Sequence, residues 1–180
     1  MQMRIASVIA MCGVMLAGVS AHAQQATSTS SADKQCPMMS AHNQMTARGD
    51  QAMGFSAAKT THHFRLYTDG GAIEVVANDP NDAESRNQIR SHLSHIAQMF
   101  ADGNFNTPML IHDTTPPGVP TMTKLRADIH YEYEETTTGG RVRIVTENAQ
   151  AIDAIHAFLL FQIIEHQTGD SASVEQAPKN

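Results

Sequence analysis

Ten His and eleven Met occur in a chain of 180 residues, and two groupings of them have types and spacings that could hold a metal ion. The first is Cys36-Pro37-Met38-Met39, followed by His42, Met45 and Met53. A thiolate and several thioethers are soft donors, which suit Cu(I). The plainer account of the same residues is a low-complexity segment in which Met and Ser are simply frequent. The second grouping is His92, His95 and Met99, spaced three and four apart. On a helix such side chains lie on neighbouring turns and can meet, and His62 or His112 could complete the shell from adjacent strands. Imidazoles accept Cu(II) or Zn(II) as well as Cu(I), so copper is the expected ion and zinc the less favoured one. The plainer account here puts Met99 at the margin of the core and leaves the two His part-exposed.

Catalytic chemistry has less to stand on. The chain has no G-x-S-x-G, H-E-x-x-H, Walker or G-x-G-x-x-G motif. Glu165 and His166 are adjacent, so on a helix they project about 100° apart and form no dyad. His156 and His166 fall on the Ile152/Leu159/Ile163 side of the last helical segment and read as hydrogen-bonded core residues, whereas His63 and His130 fall on outward strand faces. An enzyme without a motif would need an enclosed pocket holding a His of shifted pKa. The net charge of −6 gives nucleic acid or an anionic membrane surface no electrostatic hold.

The elements that must position these residues begin after a leader. Arg4, the apolar run from Ile5 to Val19 and Ala21-His22-Ala23 read as a signal peptide over 1–23, which implies a periplasmic or secreted protein with no membrane segment after its removal. The mature chain then holds one Cys, Cys36, and cannot close an internal disulfide. Residues 24–58, rich in Gln, Ser, Thr, Ala and Met and poor in Val, Ile and Leu, read as a flexible tether. A single domain is expected over 59–168 and a flexible tail over 169–180.

Within that domain Thr60 to Tyr67 and Ala72 to Ala77 flank Asp69-Gly70-Gly71 and form a hairpin. Alternation puts His62, Phe64 and Leu66 on its core face. Ile89, Leu93, Ile96 and Phe100 then predict an amphipathic helix over 83–101. A short strand is expected over 108–112 and a one- or two-turn helix over 121–127. The pattern recurs as Ile129 to Glu134, Arg141 to Thr146 and a helix from about Ala149 to Gln167. Gly70-Gly71 answers to Gly139-Gly140, and Ile89/Leu93 to Ile155/Leu159, as duplication of one unit would require. Glu132 and Glu134 could oppose Arg141 and Arg143. The expected fold class is therefore α+β, two ββα units forming an antiparallel or mixed sheet packed by two main helices. The last helix is apolar around most of its circumference, so it lies centrally or joins a homodimer; the alternative to metal binding is such an interaction domain.

The stretches Thr60-Thr61-His62-His63-Phe64, His92-Leu93-Ser94-His95-Ile96-Ala97-Gln98-Met99-Phe100, Pro117-Gly118-Val119-Pro120 and Gly139-Gly140-Arg141-Val142 resemble those of uncharacterised exported bacterial proteins. The resemblance covers roughly residues 54–170. It implies a recurring domain and brings no catalytic residues with it.

Overall fold

The computed structural model describes the backbone of residues 37–178 and the side chains from His42 onward. The expected signal peptide over 1–23, Cys36 and the first part of the expected tether lie outside the described residues, as do the side chains of Met38 and Met39.

Two hairpins make one four-stranded antiparallel sheet in the order β1-β2-β4-β3. Strands β1 (Thr60–Tyr67) and β2 (Gly70–Ala77) pair with Phe64 opposite Ile73, and β3 (Ile129–Glu135) and β4 (Gly139–Thr146) pair with Tyr133 opposite Val142. The two hairpins join through β2 and β4, where Ile73 faces Val142. Alternation then assigns one face to Phe64, Leu66, Ile73, Val75, Val142 and Ile144, all buried. The hairpin turn is tighter than the sequence suggests, because Gly70 and Gly71 belong to β2. At Gly71 an added Cβ would fall 2.3 Å from Leu159 Cδ1 and 2.5 Å from the Arg65 carbonyl, so a residue without a side chain lets the last helix come down onto the sheet.

Helix α1 spans Pro37–Met53, α2 Ala83–Ala101, α3 Asn106–His112, α4 Val119–Lys124 and α5 Ala149–His166. Asp82 caps α2 by accepting from the Ser85 N–H, and Asn148 caps α5 by accepting from Gln150 and Ala151. The order β1-β2-α2 returns as β3-β4-α5, but the helices are exchanged: α2 lies mainly on β3 and β4, and α5 mainly on β1 and β2. Each ββα unit thus covers the hairpin of the other. Helix α5 is central, touching β1, β2, β4 and α4, which accounts for most of its apolar circumference. Ile164, 68% exposed, is left over.

Three expectations are corrected. Residues 37–53 of the tether are helical, because Met45 and Met53, two turns apart, join Phe55 in the core; thioether chains do there what Val, Ile and Leu do elsewhere. Helix α1 packs on α3, and Arg48 Nε donates to the Ile111 carbonyl at 2.8 Å. The strand expected over 108–112 is helix α3 instead: Pro108 lies in its first turn, where an N–H has no helical acceptor to lose, and Asn104 Oδ1 accepts from the Asn106 N–H. The tail is not free from its start. Asp170 accepts from the Phe64 N–H and meets His63 Nδ1, both at 2.9 Å, and Glu175 exchanges backbone hydrogen bonds with Leu66 and Thr68 along the outer edge of β1. The expected charge pairing holds for Glu134 with Arg141, whereas Arg143 turns to Asp69 and the Gly71 carbonyl, 2.8 and 2.7 Å away. Among the described residues no helix is long and apolar enough to cross a membrane.

Candidate functional site

Helices α1 and α3 roof the end of the sheet where β1 begins, and four histidines line the cavity beneath them, with a fifth at its mouth. His62 is the third residue of β1 and points to the helix side with Phe64 and Leu66. His92 lies one position before Leu93 on α2, at the edge of its buried stripe. His112 and His166 are the last residues of α3 and α5. His42 comes from α1 and stands at the mouth.

The rings of His62 and His166 are 5.4 Å apart and nearly parallel, at 12°; His112 and His166 are 5.1 Å apart and nearly perpendicular, at 87°. His166 is therefore the middle member of a row. Phe55 stacks on His62 at 5.9 Å and meets His92 edge-on at 5.4 Å, joining the fourth imidazole to the row through an apolar ring. Below lies a cavity of about 60 Å³, with His62, His92, His112, His166 and Gln162 in its wall and Phe64, Ile73, Val75, Leu93, Phe100 and Phe158 toward the core. That space holds a few water-sized particles. Two wider depressions adjoin it, one of about 520 Å³ along His42, Met45, Met53, His62 and His166, and one of about 390 Å³ along His42, Arg48, His112 and Glu165.

Burial dominates the electrostatics. It draws the pKa of His62 down to about 4, helped by His92 and His63, and that of His92 to about 4, helped by His95. His166 is drawn to about 3 by burial and by His62, His112 and His42. For His112 burial outweighs the opposing hydrogen bond to Gln162 and the charge of Glu165, so its pKa is lowered too. At neutral pH these four imidazoles are uncharged, each with a nitrogen lone pair available. His112 Nε2 lies 2.9 Å from Gln162 Oε1 and donates to it, which leaves Nδ1 as a bare lone pair; neither that atom nor Gln162 Nε2 has a hydrogen-bond partner among the described residues.

The structure thus brings together His62, His92 and His112 of the sequence candidates, with His42 beside them. It does not bring His95, which is exposed on α2, nor Met99, which packs against the core while its sulfur accepts a long contact of 3.9 Å from Thr107 Oγ1. The expected His92/His95/Met99 stripe is broken because the roof covers only the His92 side of α2. His166 and Gln162 are additions; the sequence placed His166 in the core, but nothing local to α5 tells that it ends against β1 and α3. His156, by contrast, is the hydrogen-bonded residue anticipated, its Nε2 2.9 and 3.0 Å from the carbonyls of Tyr67 and Gly70. With the side chains in these positions, no three His, Cys, Asp or Glu among the described residues form a group able to hold a metal ion. No family model, curated protein or solved structure matches the chain.

Proposed function

We propose that this is an exported metal-binding protein that takes a copper-type transition-metal ion into the histidine cavity, with His166 and either His62 or His112 as ligands. The observation that carries this reading is the row His62–His166–His112, with ring centres 5.4 and 5.1 Å apart. Two imidazoles bound to one ion through bonds of about 2.0–2.1 Å at a near-tetrahedral or trigonal angle place their ring centres a little over 5 Å apart, so the spacing suits a shared ion once the rings turn out of their stacked and edge-on arrangement. Neutral imidazole is the form a metal ion requires, and burial keeps it neutral. His42, Met45 and Met53 line the way in from the outside. The soft residues ahead of them, Cys36, Met38 and Met39, would capture copper before it enters. Export, and with it the signal peptide over 1–23, belongs to the same proposal. Calorimetric titration of the chain starting at Gln24 with copper and with zinc tests it. Binding near one equivalent that disappears in the His62→Asn/His166→Asn double variant is expected, and an untouched chain that takes up neither ion at micromolar concentration would end the reading.

A second reading rests on His112 Nδ1 and Gln162 Nε2, one acceptor and one donor left open in a cavity with an apolar interior. A small neutral molecule carrying both a donor and an acceptor would satisfy them, and a buried neutral His beside it is the mark of a general base. Thermal stabilisation by small amides or alcohols that survives metal chelation, and is lost in Gln162→Leu, would favour it.

A homodimer through α5 rests on less, the exposed side chains of Ile164 and Leu110.

A further inference from the structure

We infer that the cavity is built for monovalent copper, Cu(I), in preference to a divalent ion; the inference rests on the metal reading above and specifies the ion's charge and coordination. Three features of the cavity carry it.

The first is the charge of the wall. Every polar side chain lining the inner cavity is neutral by type or in its metal-binding form: the imidazoles of His62, His92, His112 and His166, the amide of Gln162 and the hydroxyl of Thr107. There is no carboxylate or thiolate among the lining residues. The nearest carboxylate on these surfaces, Glu165, lines the outer depression, where Arg48 shares the wall with it. The cost of moving an ion from water into a poorly polarisable interior grows with the square of its charge, so a divalent ion costs four times what a monovalent one costs, and nothing in this wall neutralises it.

The second is the number of ligands that meet at one point. His166 stands beside His62 on one side and His112 on the other, and the described residues supply pairs of imidazoles rather than a converging set of three. A protein zinc site uses three or four ligands in a tetrahedral arrangement, which two rings do not provide. Two nitrogens with one thioether at hand form the low-coordinate environment that soft Cu(I) accepts.

The third is sulfur. Met53 lines both the inner cavity and the wider depression, and Met45 lines the depression alongside His42. Thioethers are soft, uncharged donors that discriminate for Cu(I) and against zinc. Met53, His62 and His166 line both the inner cavity and the depression that holds His42 and Met45, so soft and imidazole donors are shared between the two.

The test uses the whole mature chain beginning at Gln24 and its Cys36→Ser/Met38→Leu/Met39→Leu variant, which removes soft ligands ahead of the roof. Each is titrated with Cu(I) buffered by bicinchoninate under ascorbate without oxygen, and separately with Zn(II) and Cu(II) against chromophoric chelators. The expected result is that the variant still withdraws one equivalent of Cu(I) and binds Zn(II) and Cu(II) more weakly. Met53→Leu should then weaken Cu(I) by about 10- to 100-fold, the cost typical of losing one supporting interaction at a metal site, while leaving Zn(II) unchanged. X-ray absorption of the unmutated Cu(I) protein, which requires no variant to fold, should show two nitrogen neighbours and sulfur. Zn(II) or Cu(II) binding more tightly than Cu(I), and lost in His62→Asn/His166→Asn, would overturn the inference and leave the metal reading standing. Binding of none of the three ions would overturn both.

Discussion

His166 closes the last turn of α5, where a protonated imidazole would be favoured by the helix dipole, yet burial beside three other imidazoles draws its pKa to about 3. Desolvation wins because the dipole acts within one turn and is worth about 1 kcal/mol, whereas each pKa unit of depression corresponds to about 1.4 kcal/mol. The sign for stability follows. An unfolded chain binds protons at His near pH 6.5, while folded His62 and His92 do so only near about 4 and His166 near about 3. Their contribution is therefore complete above 6.5 and is lost as the pH falls from 6.5 toward 4. Each imidazole that stays neutral in the fold adds a slope of up to about 1.4 kcal/mol per pH unit in that window. Urea unfolding at pH 7, 6 and 5 should show stability falling, and His166→Asn should flatten the slope; a stability unchanged between pH 7 and 5 would contradict the buried, neutral cluster. At the same scale, Phe158 is 1% exposed and meets both Phe100 and Phe105 at 6.0 Å. Phe158→Ala should cost about 3–5 kcal/mol, measured by the same titration.

Among the elements, α1 is held differently from the rest. Its packing partner is the short α3, and its anchors to the core are Met45 and Met53. Replacing both by Ser should detach α1 while β1 to β4, α2 and α5 remain folded, because the sheet and its two helices pack mainly on one another and α1 packs mainly on α3. Hydrogen exchange would then be fast in 42–53 and slow in β2 and β4; exchange rising everywhere would mean that the roof is integral to the fold. The contact between α5 and β2 is the opposite case. Gly71→Ala puts a methyl against the fully buried Leu159 and the Arg65 backbone carbonyl and should cost about 1–3 kcal/mol. A midpoint equal to that of the parent would show that the helix can ride up without loss.

For the molecule as a whole, the exchange of helices between hairpins decides cooperativity. With α2 on β3–β4 and α5 on β1–β2, neither half can bury its own helix. A fragment covering 56–104 is expected to stay unfolded alone and to fold only when mixed with one covering 105–178. Circular dichroism of each fragment and of the mixture reports this, and a fragment that unfolds cooperatively by itself would refute it. The same topology explains the apolar α5 from within one chain, so light scattering distinguishes a monomer from the homodimer that Ile164 and Leu110 would support.

The sequence by itself determined what depends on neighbours along the chain. Period-two and period-3.6 burial and the ββα order are local, and helix α2 falls at 83–101 as its Ile89, Leu93, Ile96 and Phe100 require. Two local signals were weak. Met45 and Met53 bury as well as branched aliphatic residues but are equally frequent in unstructured segments, and Pro108 sits as well in a first helical turn as in an extended strand. Which histidines meet was decided only by tertiary structure. His62, His92, His112 and His166 come from four elements, and each taken alone is a polar residue at the margin of an apolar stripe or at a helix end. Their convergence depends on the pairing of β2 with β4 and on the roof of α1 and α3, both set by packing between residues distant in sequence. His92 and His95, three apart on one helix, looked like partners; a cover that reaches only one side of α2 separates them into a half-buried imidazole and an exposed one.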